Sequence, residues 1–465
     1  MQPTLMDLLR QAGRLKASGQ TAQALNLYRQ AQERFPAEPV AQHNLAAALG
    51  DLGRHDEALV FAKAALDAGL DAPETWLVRA RSELGLLDLV SAAESYRRAL
   101  ALRPNLLAAQ FEAAQLAWMS SGDTAQALRG LRQAEERADA DPMLAFVKAQ
   151  ALEMMGDEQG ARASLEPLVA RAGCPPAALA YAAHLEALLG RPHAALSLAE
   201  ACLQTAPGDF GAVEALTRAR LAVGDGPGAS EAAGHLVAAQ PMNQHAIALQ
   251  ATAWRLMGDA RYRELYDYER LVASYPLGVP SGWDSLEAYV ADVANELRAA
   301  HPFRAHPFGH SVRGGSQLPH LLSRNTPALS ALAESVMAPI RRHLERLGRG
   351  DDAVRRRNTG RVRIQGDWSV WLWPSGHHVD HVHQEGWLST ACHIELPAVV
   401  GAGGREGWLR FGKPGIPVSR DMEAEHWARP EPGRLVLFPS YMWHGTEPFS
   451  GEMPRLTVAF DLLPA

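Results

Sequence analysis

Residues 376–383 read Gly-His-His-Val-Asp-His-Val-His. Imidazole and carboxylate are common ligands of divalent transition metals, and His377, His378, Asp380, His381 and His383 crowd this one stretch. A single histidine is more often structural. Alternate residues of a strand, however, project to one side, so a His-x-His or His-x-Asp pair at a strand end offers two ligands at once. Two such pairs of opposite parity are present, His378-Val379-Asp380 and His381-Val382-His383. A third ligand must come from a distant strand. His444, just beyond the apolar strand Leu435–Phe438, is well placed for it. Three protein ligands on one face leave other coordination positions open. Arg455 follows His444 by 11 residues, enough for a turn and one returning strand. Its planar fork pairs with a carboxylate through two bonds. Thr457 lies two residues further on, faces the same side and adds a hydroxyl donor.

These residues need a rigid frame. From about Gly360 onward the segments RVRIQ, WSVWLW, LSTACHIEL, GWLRF, RLVLFPS and RLTVAFDLL are short, rich in β-branched and aromatic residues, and separated by Gly, Pro and charges. Such spacing predicts a β-sandwich or jelly-roll barrel. Two amphipathic stretches precede it, Leu286–Ala300 and Pro327–Leu347, and are expected to support one face. The glycine-rich HSVRGGSQLPHLL between them reads as a loop, as does Gly401-Ala402-Gly403-Gly404. His393 is either a barrel side chain or a pocket group. Trp371, Trp373, Trp387 and Trp443 read as core or pocket wall.

The first 276 residues repeat. Gly19 and Gly53 are 34 residues apart, and Gly122, Gly156, Gly190, Gly224 and Gly258 follow one another at 34, with Leu87 standing where the missing glycine would be. Five residues after each position come Ala24, Ala58, Ala92, Ala127, Ala161, Ala195 and Ala229, and an eighth unit carries Arg263 instead. Glycine permits a tight turn between two short helices, alanine lets the second helix pack closely, and Pro36, Pro104, Pro207, Pro241 and Pro276 end units in register. The period resembles the tetratricopeptide repeat, about eight units over 1–276. Such arrays stack into a superhelix with a groove, which implies a peptide or protein partner. PLGVPSGW, with two prolines and two glycines, marks a linker at 277–285, leaving 286–465 as a second domain.

Taken together, His-x-His, the LS-rich strand, Phe-Pro-Ser-x3-His and Arg-x-Thr resemble the 2-oxoglutarate- and Fe(II)-dependent oxygenases related to prolyl hydroxylases. Arg313-Gly314-Gly315-Ser316-Gln317 and Trp368 extend the match, which runs from about Leu286 to Leu463. The resemblance implies a double-stranded β-helix core, Fe(II) as metal and 2-oxoglutarate as cosubstrate. It implies His381, His383 and His444 at the metal and Arg455 and Thr457 at the keto acid, with no catalytic side chain beyond the metal ligands. The commoner ligand set is two histidines and a carboxylate, so His378, Asp380 and His444 stay as the alternative triad. In the three-histidine case Asp380 or Glu385 would orient a ligand histidine. A tetratricopeptide array joined to such an oxygenase also resembles some animal protein hydroxylases. The expected function is dioxygenation of a docked peptide or protein side chain. The competing readings are a keto-acid-independent metal dioxygenase, a zinc or manganese enzyme, and a non-catalytic binding scaffold.

Net charge is -7 with a pI of about 6.2, which gives no global argument for nucleic acid or an anionic membrane. Cys174, Cys202 and Cys392 show no paired spacing. There is neither a signal-peptide pattern nor a membrane-length apolar run. A cytoplasmic location is expected.

Overall fold

The computed structural model describes residues 3–324 and 326–465. A helical-repeat array is followed by antiparallel strands. The chain divides into two compact units, Met1–Ala151 and Leu152–Ala465.

Helix pairs occupy 5–34, 39–67, 73–102, 107–135, 144–169, 176–205 and 210–239. The periodic glycines do what their spacing predicts. All seven lie at positive φ, between 70 and 90°, where a side chain would be strained. Leu87 takes the same left-handed turn at φ 61°, so the 34-residue geometry persists where its glycine is missing. The alanines Ala24, Ala58, Ala92, Ala127, Ala161, Ala195 and Ala229 are each at most 3% exposed, too tight for a larger residue without overpacking.

The eighth unit breaks this pattern. Its first helix, Gln244–Met257, is regular, but the second is cut to Arg261–Leu265. Arg263, in the alanine register, is exposed and pairs with Glu425 at 2.8 Å. A charged side chain there cannot be packed under the preceding helix. The chain then enters strand β1 (Ala273–Pro276), so the last residues expected to close the array form a sheet edge instead.

The remaining strands are β2 (Val312–Pro319), β3 (Val362–His378), β4 (Leu388–Glu395), β5 (Leu409–Phe411), β6 (His426–Ala428), β7 (Arg434–Pro439), β8 (His444–Thr446) and β9 (Arg455–Pro464). A six-stranded sheet has the order β1-β7-β4-β9-β3-β2 and a three-stranded sheet the order β6-β5-β8, all pairs antiparallel. RVRIQ and WSVWLW fuse into the single strand β3, which a bulge near Gly366 lets continue. The glycine-rich segment read as a loop is β2. Gly314 sits at φ 62°, and a Cβ on Gly315 would lie 2.6 Å from the Trp371 carbonyl oxygen. The two glycines mark a bulge in a tightly packed strand, not a break in one.

Helix Leu286–Ala300 starts at Ser285, whose hydroxyl accepts the Ala288 N–H at 3.1 Å. It buries Tyr289, Val293 and Leu297 and packs on β4. Helix Leu332–Leu347 buries Val336, Ile340 and Leu347 and packs on β1 and β7. Both are braced at one face of the six-stranded sheet. Among the described residues no helix is long and apolar enough to cross a membrane.

Candidate functional site

A cavity of about 390 Å³ lies between the two sheets. Trp368 and Val370 of β3, Thr390 and Ala391 of β4, Phe438 of β7, and Arg455, Thr457 and Ala459 of β9 line one side. Leu409 of β5 and Thr446 of β8 face them. His381, His383 and His444 converge on it, each offering a ring nitrogen, with the three atoms within 4.8 Å of one another.

β3 ends at His378, so His381 and His383 are not on a regular strand as expected. They lie on an extended segment zipped to the β7–β8 turn. His381 N–H donates to the His444 carbonyl at 2.9 Å, His444 N–H returns to the His381 carbonyl at 3.0 Å, and His383 N–H donates to the Ser440 carbonyl at 3.0 Å. The bridge keeps the two rings on one side.

Each of the three rings has its Nδ1 engaged. His381 Nδ1 donates to the Val379 carbonyl at 2.9 Å and His444 Nδ1 to the Met442 carbonyl at 2.9 Å. His383 Nδ1 donates to Asp461 Oδ1 at 2.6 Å. A ring that donates from Nδ1 presents a bare lone pair at Nε2. The His381 and His383 Nε2 atoms are 3.1 Å apart, so two acceptors face each other with no proton between them. A cation relieves that repulsion, and burial makes His381 and His444 poor proton acceptors. Burial, then neighbouring His383, pushes His381 down to about 3. Burial likewise holds His444 well below the ordinary range.

The alternative triad is not brought together. Asp380 pairs with Arg410 at 2.7 and 2.9 Å, and Arg410 also holds Glu447 at 3.0 Å. His378 Nδ1 is hydrogen-bonded with Ser311 Oγ at 2.9 Å, and its ring stacks on His381 at 6.0 Å. Among the described residues neither Asp380 nor Glu385 holds one of the three rings. The carboxylate that does is Asp461, which sequence reasoning missed. It faces Ser389 across the β4–β9 register and accepts the Ser389 hydroxyl at 2.7 Å. The only linear signal was its alternate spacing from Thr457. Removing such a supporting carboxylate typically lowers metal affinity 10–100-fold. Asp461→Ala is therefore expected to lose about that much affinity in a chelator-competition titration, with Asp461→Asn recovering part of it. Unchanged affinity in the alanine variant would refute this role.

Arg455 and Thr457 both lie on β9 and line the cavity. Arg455 is 2% exposed. Its partners are neutral: the Gly407 carbonyl, Thr457 Oγ1 at 3.3 Å and His393 Nδ1 at 3.3 Å. Burial lowers the guanidinium to about 10, so it stays charged near neutrality. No described carboxylate pairs with it. His393 does not line the cavity, and its Nε2 is buried without a partner. Trp443 donates to Thr252 Oγ1 at 2.9 Å and Trp387 to the Val354 carbonyl at 3.0 Å. These two are packing residues, whereas Trp368 is a cavity wall 5.4 Å from the His383 ring.

Residues 366–461 match the family described as "Putative 2OG-Fe(II) oxygenase". No curated protein matches the chain. Among solved structures, a tetratricopeptide repeat protein from Parabacteroides merdae is 16% identical, covering 54% of this chain and 98% of that one at a TM-score of 0.39. The C-terminal part of a TPR repeat-containing protein from Cytophaga hutchinsonii is 16% identical, covering 52% and 98% at 0.35.

Proposed function

We propose that the C-terminal part of this chain is an Fe(II)- and 2-oxoglutarate-dependent dioxygenase that hydroxylates a peptide or protein side chain docked by the repeats. One observation carries it: three Nε2 lone pairs converge in a cavity that also contains a buried guanidinium with no counter-ion among the described residues. Such a site calls for a cation at one end and a carboxylate at the other. The family match at 366–461 supports the same pairing, and the two antiparallel sheets suit a double-stranded β-helix running from about 286 to 465.

His381, His383 and His444 would hold ferrous iron through Nε2. The Val379, Met442 and Asp461 acceptors fix their tautomers and ring planes. Arg455 would grip the far carboxylate of the keto acid with its fork, helped by the Thr457 hydroxyl. Leu409, Val370 and Phe438 exclude water from the space between. His310, Gln317 and Trp368 border the other side, where substrate would lie. Gln317 Nε2 donates to His310 Nδ1 at 2.9 Å, leaving the His310 Nε2–H as a donor. When bound, iron and keto acid supply the oxidising power: O₂ and 2-oxoglutarate become succinate and CO₂, and one oxygen enters a substrate C–H bond.

The test is an anaerobic titration with Fe(II) and then 2-oxoglutarate, following the weak visible charge-transfer band of the chelate. The band is expected with the wild-type protein and absent in His444→Ala. Bound iron without a band would overturn the keto-acid assignment and favour a keto-acid-independent oxygenase.

A further inference from the structure

The first helices of the last four repeat units carry a connected line of polar side chains. His184 Nε2 donates to Glu153 at 3.0 Å, and Tyr181 donates to the same carboxylate. Arg218 donates to His184 Nδ1 at 2.6 Å. His245 meets Glu214 at 3.3 Å and abuts the Trp443 ring at 5.8 Å. Glu153 and His184, like Glu214 and His245, are 31 residues apart, so one contact recurs between successive helices.

Both ends of this line touch the lips of the cavity. Beside Glu153, Met154 receives His306 Nε2 on its carbonyl at 3.0 Å and the Gly309 N–H on its sulfur at 3.1 Å. Gly309, His310 and Ser311 are one lip. Beside His245, the Gln244 N–H donates to the Gln384 carbonyl at 3.0 Å. Gln384 and Glu385, next to ligand His383, are the other lip. The two lips are therefore fastened to the two ends of the line.

The side chains are reachable. Glu153, His184, Glu214 and His245 keep between 13 and 24% of their surface exposed. Neighbouring helices sit roughly 8–10 Å apart, so four first helices span on the order of 25–30 Å. That is about eight or nine residues of extended chain, far longer than a small metabolite. Among the groups tied to this line and its lips, acids outnumber bases. Glu153, Glu158, Glu214 and Glu385 face Arg218 and Arg313, the latter close to Glu153 and Glu158.

We infer that this line is the outer part of the substrate site, and that it takes an extended polypeptide with basic side chains flanking the residue presented to the histidines. Hydroxylation of that residue rests on the oxygenase reading, whereas the binding does not. Complementary charge would supply orientation and on-rate more than bulk affinity.

The test uses the metal-free protein, residues 1–465, and three fluorescein-labelled nonapeptides in a Gly-Ser-Ala background: one with two central lysines, one with two glutamates, one uncharged. Fluorescence anisotropy should show the lysine peptide binding at least tenfold more tightly than the glutamate peptide. Glu153→Gln combined with Glu214→Gln should weaken it threefold or more. Because that pair is half-buried and its loss can disturb folding, Glu385→Gln, on an exposed lip residue, should also weaken it measurably with the thermal midpoint unchanged. Equal binding of all three peptides, binding of none, or unaltered lysine-peptide binding in both variants would overturn the inference. Neither iron nor keto acid is present, so such a result leaves the oxygenase reading standing. A missing chelate band alongside basic-peptide binding overturns the oxygenase reading alone.

Discussion

Arg455→Ala is expected to weaken 2-oxoglutarate binding by about 30-fold to several thousand-fold, because removing one partner of a buried, hydrogen-bonded charge pair costs about 2–5 kcal/mol. Iron affinity should change by no more than about threefold, since Arg455 touches none of the three histidines, which sit on β8 and the 379–383 segment. The physical case is the environment of the guanidinium. It is 2% exposed, and its protein partners are a carbonyl, a hydroxyl and an imidazole. A buried cation left without an anion is destabilising by several kcal/mol, so the fold retains a stress that a bound carboxylate removes. Arg455→Lys keeps the charge but loses the planar fork, and should fall between wild type and alanine. Anaerobic calorimetric titration of the keto acid into iron-loaded protein reads the affinity directly. An alanine variant with wild-type affinity would mean that the carboxylate does not sit at β9, and the cosubstrate assignment would go with it.

The repeats were readable because a glycine turn and a buried alanine impose local demands that recur every 34 residues. Leu87 shows the limit: the turn survives the wrong residue, so the period must be read from the whole series. His381, His383 and His444 were legible as a combination of residue types, although the strand imagined to carry the first two ends at His378. That these three converge while Asp380 does not depends on Arg410, which holds the Asp380 carboxylate, and nothing in the local sequence announces that pair. Asp461 was invisible for a similar reason. It is 78 residues from His383, and it reaches that ring only because β9 pairs with β4 in one particular register. β2 was mistaken for a loop since two adjacent glycines usually break strands, whereas here they admit the Trp371 backbone. Local chemistry travels well from sequence, while partners set by strand register do not.

Acid should destabilise the Leu152–Ala465 unit well before its carboxylates begin to protonate. Burial pushes His343 down to about 3 and His301 and His306 down to about 4 each. In the unfolded chain these groups titrate near 6.5. Above that pH neither state binds the extra proton, and the three histidines contribute nothing to the pH dependence. As pH falls through 6.5 the unfolded chain takes up protons that the folded chain refuses, so stability drops with decreasing pH. Each group loses about 1.4 kcal/mol per pH unit until its folded value is reached. At pH 5 the three together cost about 6 kcal/mol, a large part of the 5–15 kcal/mol that holds a typical protein folded. The figure needs only that the folded values lie below the pH tested. Other buried histidines, His378 and His393 among them, act in the same direction. Urea unfolding of the chelator-treated protein should show a midpoint lower by on the order of 1–2 M at pH 5.0 than at pH 7.5. His343 does not line the cavity and sits against Tyr275 at 3.2 Å, so His343→Gln should flatten the profile by one group's share without touching the three clustered histidines. A midpoint that does not move across this range would show that these rings accept protons in the folded state, and that their surroundings are wetter than their packing implies.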